Sequence, residues 1–108
     1  MSYNIQTTPD FDKKFKKLFK KYASLKSDFS SFINSLKENP TQGTPLGKNC
    51  YKMRLAIKSK GKGKSAGARI ITNILVEHST VYLLTIYDKS DKDSISDNEL
   101  LYLLQNLE

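Results

Sequence analysis

The stretch "YKMRLAIKSKGKGKSAGARIITNILVE", residues 51–77, decides how the chain folds. Its first part alternates, with Tyr51, Met53, Leu55 and Ile57 set against Lys52, Arg54, Ala56 and Lys58. A period of two is that of a half-buried strand, here with a basic outer face. Residues 68–77, "ARIITNILVE", have the β-branched content of a second strand. His78-Ser79 supplies a turn, and "TVYLLTIYD", residues 80–88, is a third strand. With strands on both sides, the glycine–lysine segment between them reads as a long hairpin loop.

Two other readings of that segment are weaker. Gly63-Lys64-Ser65 matches the end of a G-x-x-x-x-G-K-[ST] phosphate loop, but the first glycine of the motif would fall on Lys58. Such a loop must also open a helix, not a strand. A flexible linker separates domains, and 108 residues leave little room for two. The segment is better read as a basic flap. Its glycines permit close backbone approach, and Lys58, Lys60, Lys62 and Lys64 give it mobile charge suited to binding a polyanion. A plain solvated hairpin tip is the alternative.

Outward from this core the periodicity changes. Residues 3–7 alternate weakly, as a short strand. Thr8-Pro9 opens a helix with a capping hydroxyl and a proline in its first turn. Phe11, Phe15, Leu18, Phe19 and Tyr22 form its apolar stripe, and the lysines between them its solvated side. Leu25, Phe29, Phe32, Ile33 and Leu36 repeat the pattern over residues 24–38, so a short link makes a helical hairpin. Asn39-Pro40 stops the second helix, and residues 40–49 read as a loop. "SDNE", residues 96–99, is a capping box that opens a leucine-rich last helix. The order predicts one α+β domain over residues 1–108: an N-terminal strand, a helical hairpin packed on an antiparallel sheet, and a C-terminal helix.

Charge points to the partner. The net charge is +7, yet no acidic residue lies between Glu38 and Glu77. That interval holds Lys48, Lys52, Arg54, Lys58, Lys60, Lys62, Lys64 and Arg69. A one-sign block of this kind concentrates polyanions. No run approaches about 18 apolar residues, so no membrane partner is expected. The N-terminus lacks a signal layout, and the single Cys50 forms no internal disulfide, as in a cytoplasmic protein. His78 is the lone histidine, which excludes a two-histidine ribonuclease. Asp88, Asp91 and Asp93 are interleaved with lysines and read as a polar loop before they read as a magnesium site. No metal or small-molecule cofactor is expected.

Alternation places Lys52, Arg54 and Lys58 on one strand face. Neighbours two residues apart sit about 7 Å from each other. Each like-charge pair then costs on the order of 2 kcal/mol at an effective dielectric near 20, before screening. Such crowding makes Lys52 a candidate base, while arginine suits a bidentate phosphate clamp. Spacing alone leaves open whether these groups do chemistry or only hold an anion.

The helical hairpin, then "YKMRLAIKSKGKGKSAGARIIT", then "VYLLTIYDKSDKDSIS", together resemble the RelE/ParE superfamily of bacterial toxins over nearly the whole chain. The branch closest in pattern is the HigB-like or RelE-like one, with Ala66 standing where glycine is usual. The resemblance implies a sheet with two helices on one side, and the toxin of a type II toxin–antitoxin system. It further implies a metal-independent endoribonuclease, an mRNA interferase that blocks translation by cutting mRNA in the ribosomal A site through attack of the ribose 2′-hydroxyl. Carried onto this sequence, Lys52 is the candidate base and Arg54 its basic partner on the strand. Arg69 contacts the scissile phosphate, and Lys89 is the basic residue after the third strand. The late tyrosine of the best-known members has no counterpart, and Tyr87, a few residues early, is the substitute that would stack on a base. Implied partners are a cognate antitoxin, the ribosome and mRNA. Gyrase inhibition, as in the ParE branch, and a non-catalytic nucleic-acid-binding module are the alternatives. The set Lys52, Arg54 and Arg69 favours the endonuclease.

Overall fold

A computed structural model describes residues 2–60, 67–92 and 94–107. Five strands and three helices run in the order β1 (Asn4–Thr7), α1 (Pro9–Lys21), α2 (Leu25–Glu38), β2 (Thr44–Gly47), β3 (Cys50–Leu55), β4 (Ala68–Leu75), β5 (Thr80–Asp88) and α3 (Asp97–Gln105). The predicted α+β architecture is the observed one. Helix α1 starts as its sequence dictates, with the Thr8 hydroxyl accepting from the Phe11 N–H at 3.1 Å and Pro9 in the first turn. Ser96 caps α3 the same way, through the Glu99 N–H at 3.1 Å.

The sheet order is β1-β5-β4-β3-β2. Two features correct the predicted antiparallel sheet. Strand β1 joins β5 in parallel, from Asn4 opposite Thr80 to Thr7 opposite Leu83, so the sheet is mixed. The predicted loop of residues 40–49 contains the edge strand β2, which returns into β3 through a two-residue turn. Lys48 and Asn49 both take positive φ there, 55° and 61°, as the turn type that matches strand twist requires. The Asn73 amide donates to the Lys48 carbonyl at 3.0 Å and ties this turn to β4.

Helices α1 and α2 cover one face of the sheet. Phe11, Phe15 and Phe29 meet with ring centroids 4.8–5.8 Å apart, above Met53, Leu55, Ile70, Val81, Leu83 and Ile86. Burying one such aromatic contributes about 1.5–3 kcal/mol. The opposite face carries a smaller cluster of Cys50, Ile71, Leu84 and Tyr87 beneath Leu100 and Leu103 of α3. A bulge lies between these clusters in β5: Thr72 pairs with Leu83 but Ile71 with Thr85, which leaves one extra residue on β5. Before it Val81 and Leu83 face α1 and α2, whereas beyond it Ile86 does, so Tyr87 falls on the α3 side. Among the described residues no helix is long and apolar enough to cross a membrane.

Candidate active-site groove

The α3 face is only partly roofed, and its uncovered end is basic. The register places Arg54 of β3 opposite Arg69 of β4, and Arg69 opposite Tyr87 of β5, in one row across three strands. Directly paired residues sit about 5 Å apart at Cα, so two guanidinium groups are rooted side by side. Lys52 lies two positions along β3, on the same face as Arg54. Lys89 follows the end of β5, where its N–H donates to the Gly67 carbonyl at 3.0 Å.

Lys52, Arg54, Arg69 and Lys89 line one groove of about 550 Å³, walled by Gln42, Gly43 and Thr44. Among the described residues no carboxylate lines it. Like charges rooted opposite one another oppose folding, and an anion between them relieves that repulsion. Gly43 shapes the wall. Its φ is +103°, and a Cβ there would lie 2.6 Å from the Lys52 carbonyl oxygen, so only glycine lets the wall approach β3 this closely. Arg69 is 4% exposed and donates to the Ala68 carbonyl at 3.1 Å, which restrains its guanidinium. Arg54, by contrast, is exposed.

Other predicted site residues are placed differently. Strand β3 ends at Leu55, so Lys58 leaves the Lys52–Arg54 face. It begins a short 3-10 turn, its N–H donates to buried Asp28 at 3.0 Å, and it lines a second groove between α2 and β3 that also includes Arg54. Lys60 is not spread toward solvent. Its ammonium contacts the Asp88 carboxylate at 2.5 Å and lies 5.5 Å from the centre of the Tyr22 ring. Lys62 and Lys64 lie outside the described residues. Tyr87 is 7% exposed, packs in the α3 cluster, and has the Lys92 ammonium 5.0 Å from its ring centre. A base cannot stack on the ring without displacing that cover.

The acidic cluster also reads differently in three dimensions. Asp88 is fully buried and engaged by Lys60, Tyr22 and Ser90. Burial alone would raise its carboxyl, but those donors outweigh it and hold the group well below the usual carboxylate range. Asp93 lies outside the described residues, and among those described no three His, Cys, Asp or Glu side chains gather to hold a metal. Cys50 is buried beside Asn73, and burial pushes its thiol up. His78 is exposed in the turn before β5, as its position in the sequence implied.

Sequence reasoning missed Gln42, Gly43 and Thr44 as groove wall. Proline and two glycines within residues 43–47 hide an edge strand behind loop composition.

Solved toxins share this fold. The E. coli toxin RelE, a mutant in the free state, superposes with a TM-score of 0.68 at 15% identity over 100% of both chains. The intact E. coli RelBE toxin–antitoxin complex gives 0.63 at 18% identity, covering 81% of this chain and 96% of that one. The toxin–antitoxin complex RelBE2 of Mycobacterium tuberculosis gives 0.61 at 21% identity, over 82% and 99%. The sequence profile described as "RelE toxin of RelE / RelB toxin-antitoxin system" matches residues 11–106. A match over that much of the chain places this protein in the RelE toxin family.

Proposed function

We propose that this toxin is an mRNA endonuclease that acts on the ribosome, with its chemistry in the groove of Lys52, Arg54, Arg69 and Lys89. The observation that carries the reading is the convergence of four cations, rooted on the adjoining strands β3 and β4 and on the turn after β5, in one groove that no carboxylate among the described residues lines. Strand-borne side chains hold their directions better than loop-borne ones, as phosphate positioning requires. In the proposed reaction the ribose 2′-oxygen bonds to the adjacent phosphorus and the bond from phosphorus to the 5′-oxygen breaks. Lys52 takes the 2′-hydroxyl proton. Arg54 and Arg69 hold the phosphoryl oxygens as negative charge builds on them. Lys89 returns a proton to the departing 5′-oxygen. The products are a 2′,3′-cyclic phosphate and a free 5′-hydroxyl.

The partner proposed to silence it is a cognate antitoxin that lays an acidic segment over the basic face. Support comes from the family's own description and from the toxin–antitoxin complexes that share the fold. Acting on translating ribosomes places the toxin in the cytoplasm.

A reconstituted translation reaction tests the reading. Purified toxin is added, mRNA 5′ ends are mapped, and DNA supercoiling by gyrase is assayed in parallel. Codon-positioned new ends that fall about 10²- to 10⁴-fold in rate with Lys52→Ala or Arg69→Ala are expected. Intact mRNA with blocked supercoiling would assign the fold to gyrase inhibition, and intact mRNA with salt-sensitive RNA binding to a non-catalytic module.

A further inference from the structure

We propose that Asp88 is a positioning residue for the groove: from the opposite side of the sheet, its carboxylate fixes the turn that carries Lys89 and both borders of the glycine–lysine segment. The proposal rests on the RNA-cleavage reading above.

Lys52, Arg54 and Arg69 project from paired strands, so the ladder itself sets their directions. Lys89 does not, because β5 ends at Asp88. Something else must hold the Lys89 backbone, and the residue before it does so from both ends. Asp88 Oδ1 accepts from the Lys60 ammonium at 2.5 Å, the Ser90 N–H at 2.9 Å and the Ser90 hydroxyl at 2.7 Å. Oδ2 accepts from the Tyr22 hydroxyl at 2.6 Å, with the Lys21 ammonium 3.8 Å away. The Asp88 carbonyl accepts from the Asp91 and Lys92 N–H groups at 3.0 and 3.3 Å. Lys89 sits inside this bracket, and its own N–H reaches the Gly67 carbonyl.

The same contacts hold the two described residues that flank positions 61–66. Lys60 is bound by the Asp88 side chain, and Gly67 by the Lys89 N–H. A hydrophobic pair of equal size would hold a strand end as firmly, since a buried ion pair is weak evidence for stability. What a carboxylate adds is directed bonds to three separate segments: the end of α1, the turn at Lys60, and the exit of β5. The β5 bulge is what turns Asp88 toward Tyr22 and away from the groove.

The test compares wild type, Asp88→Asn, the charge-neutral double variant Asp88→Asn/Lys60→Met, and Tyr22→Phe. Single-turnover mRNA cleavage is measured against toxin concentration in reconstituted translation, with thermal unfolding and amide hydrogen exchange at Lys89 alongside. Both Asp88 variants should cleave about 10- to 100-fold more slowly at saturation, with the half-saturating concentration changed less than about twofold. The Lys89 amide should exchange roughly tenfold faster or more. The double variant, which strands no ammonium, should melt near wild type, so slow cleavage there is not loss of folded protein. Tyr22→Phe keeps the ion pair and should shift both readouts in the same direction, by roughly two- to fivefold. Cleavage in the double variant within about twofold of wild type would overturn the proposal. Unchanged Lys89 exchange in any of the three would do so as well. A wild-type toxin that leaves mRNA intact would instead overturn the cleavage reading, and Lys89 exchange, which needs no RNA, would then decide the role of Asp88 alone.

Discussion

The two faces of the sheet are built from the same alternating strands yet meet opposite fates. On one face two helices cover the strands, and the inward positions from Met53 to Ile86 are apolar apart from buried Thr72 between Ile70 and Ile74. On the other, α3 is nine residues long and covers only part of the surface; the row that runs out from Tyr87 beneath it continues into Arg69 and Arg54. Even the cations divide this way. Lys60 is tied to a buried carboxylate beneath α1, whereas Lys52, Arg54, Arg69 and Lys89 share a groove that no described carboxylate lines. The difference teaches that coverage, more than strand propensity, assigns stability to one side and anion chemistry to the other.

The strongest way to break this division is to truncate one residue on each face. Phe11→Ala should cost about 3–5 kcal/mol in denaturant unfolding, because Phe11 is 1% exposed at the centre of the aromatic cluster. Arg54→Ala should change stability by less than about 0.5 kcal/mol. A large loss from Arg54→Ala would mean that the groove is structural. Next in size is Gly67→Ala, because a Cβ there would lie 2.1 Å from the Leu55 carbonyl oxygen, and its nearest neighbours are all backbone atoms of Leu55 and Ala56. The β3–β4 approach should weaken by about 1–3 kcal/mol, read from the urea midpoint.

Acid offers a gentler probe of the Lys60–Asp88 side. The Asp88 carboxyl is held below its ordinary value, so its stabilisation is complete above about pH 4 and drains away as pH falls from there toward the folded-state value. The stability gap between wild type and Asp88→Asn should therefore be full at neutral pH and close on acidification. A gap that stays constant from pH 7 to 2 would contradict the assignment. The smallest effect belongs to the exposed Lys14–Asp10 pair on α1, one turn apart at 3.3 Å. Lys14→Ala should cost only about 0.3–0.5 kcal/mol, measured by thermal melts in low salt.

Much of the fold was legible because local signals agree with tertiary structure. Thr8-Pro9 and Ser96 cap the helices that they predict, and the apolar stripes of α1 and α2 are the buried faces except at Phe19, which is exposed beside the Lys26 ammonium. The alternation of residues 51–55 is likewise the observed β3. Pairing was not legible. The parallel contact of β1 with β5 joins segments with no shared local pattern, and Pro45 and Gly47 disguise β2 as loop. The groove was half legible: alternation put Lys52 and Arg54 on one face, but only the register sets Arg54 opposite Arg69. Lys58 was misplaced because its alternation runs past the end of β3, and Lys60 because charge alone does not reveal a buried partner 28 positions away.

The single extra residue in β5 works like a frameshift inside a sheet. Upstream of it even-numbered side chains look one way; downstream, odd-numbered ones do. Removing Thr85 would restore uniform counting and leave the later side chains where they are. Inserting one residue between Thr85 and Ile86 would instead carry the acid of position 88 onto the face of Arg69 and send the phenol of position 87 under the first helix. Such a toxin would carry its own counter-anion and be disarmed in cis. Loss of salt-sensitive RNA binding by the chain with one alanine inserted after Thr85, with secondary structure retained by circular dichroism, is the outcome expected, and retained binding would refute it.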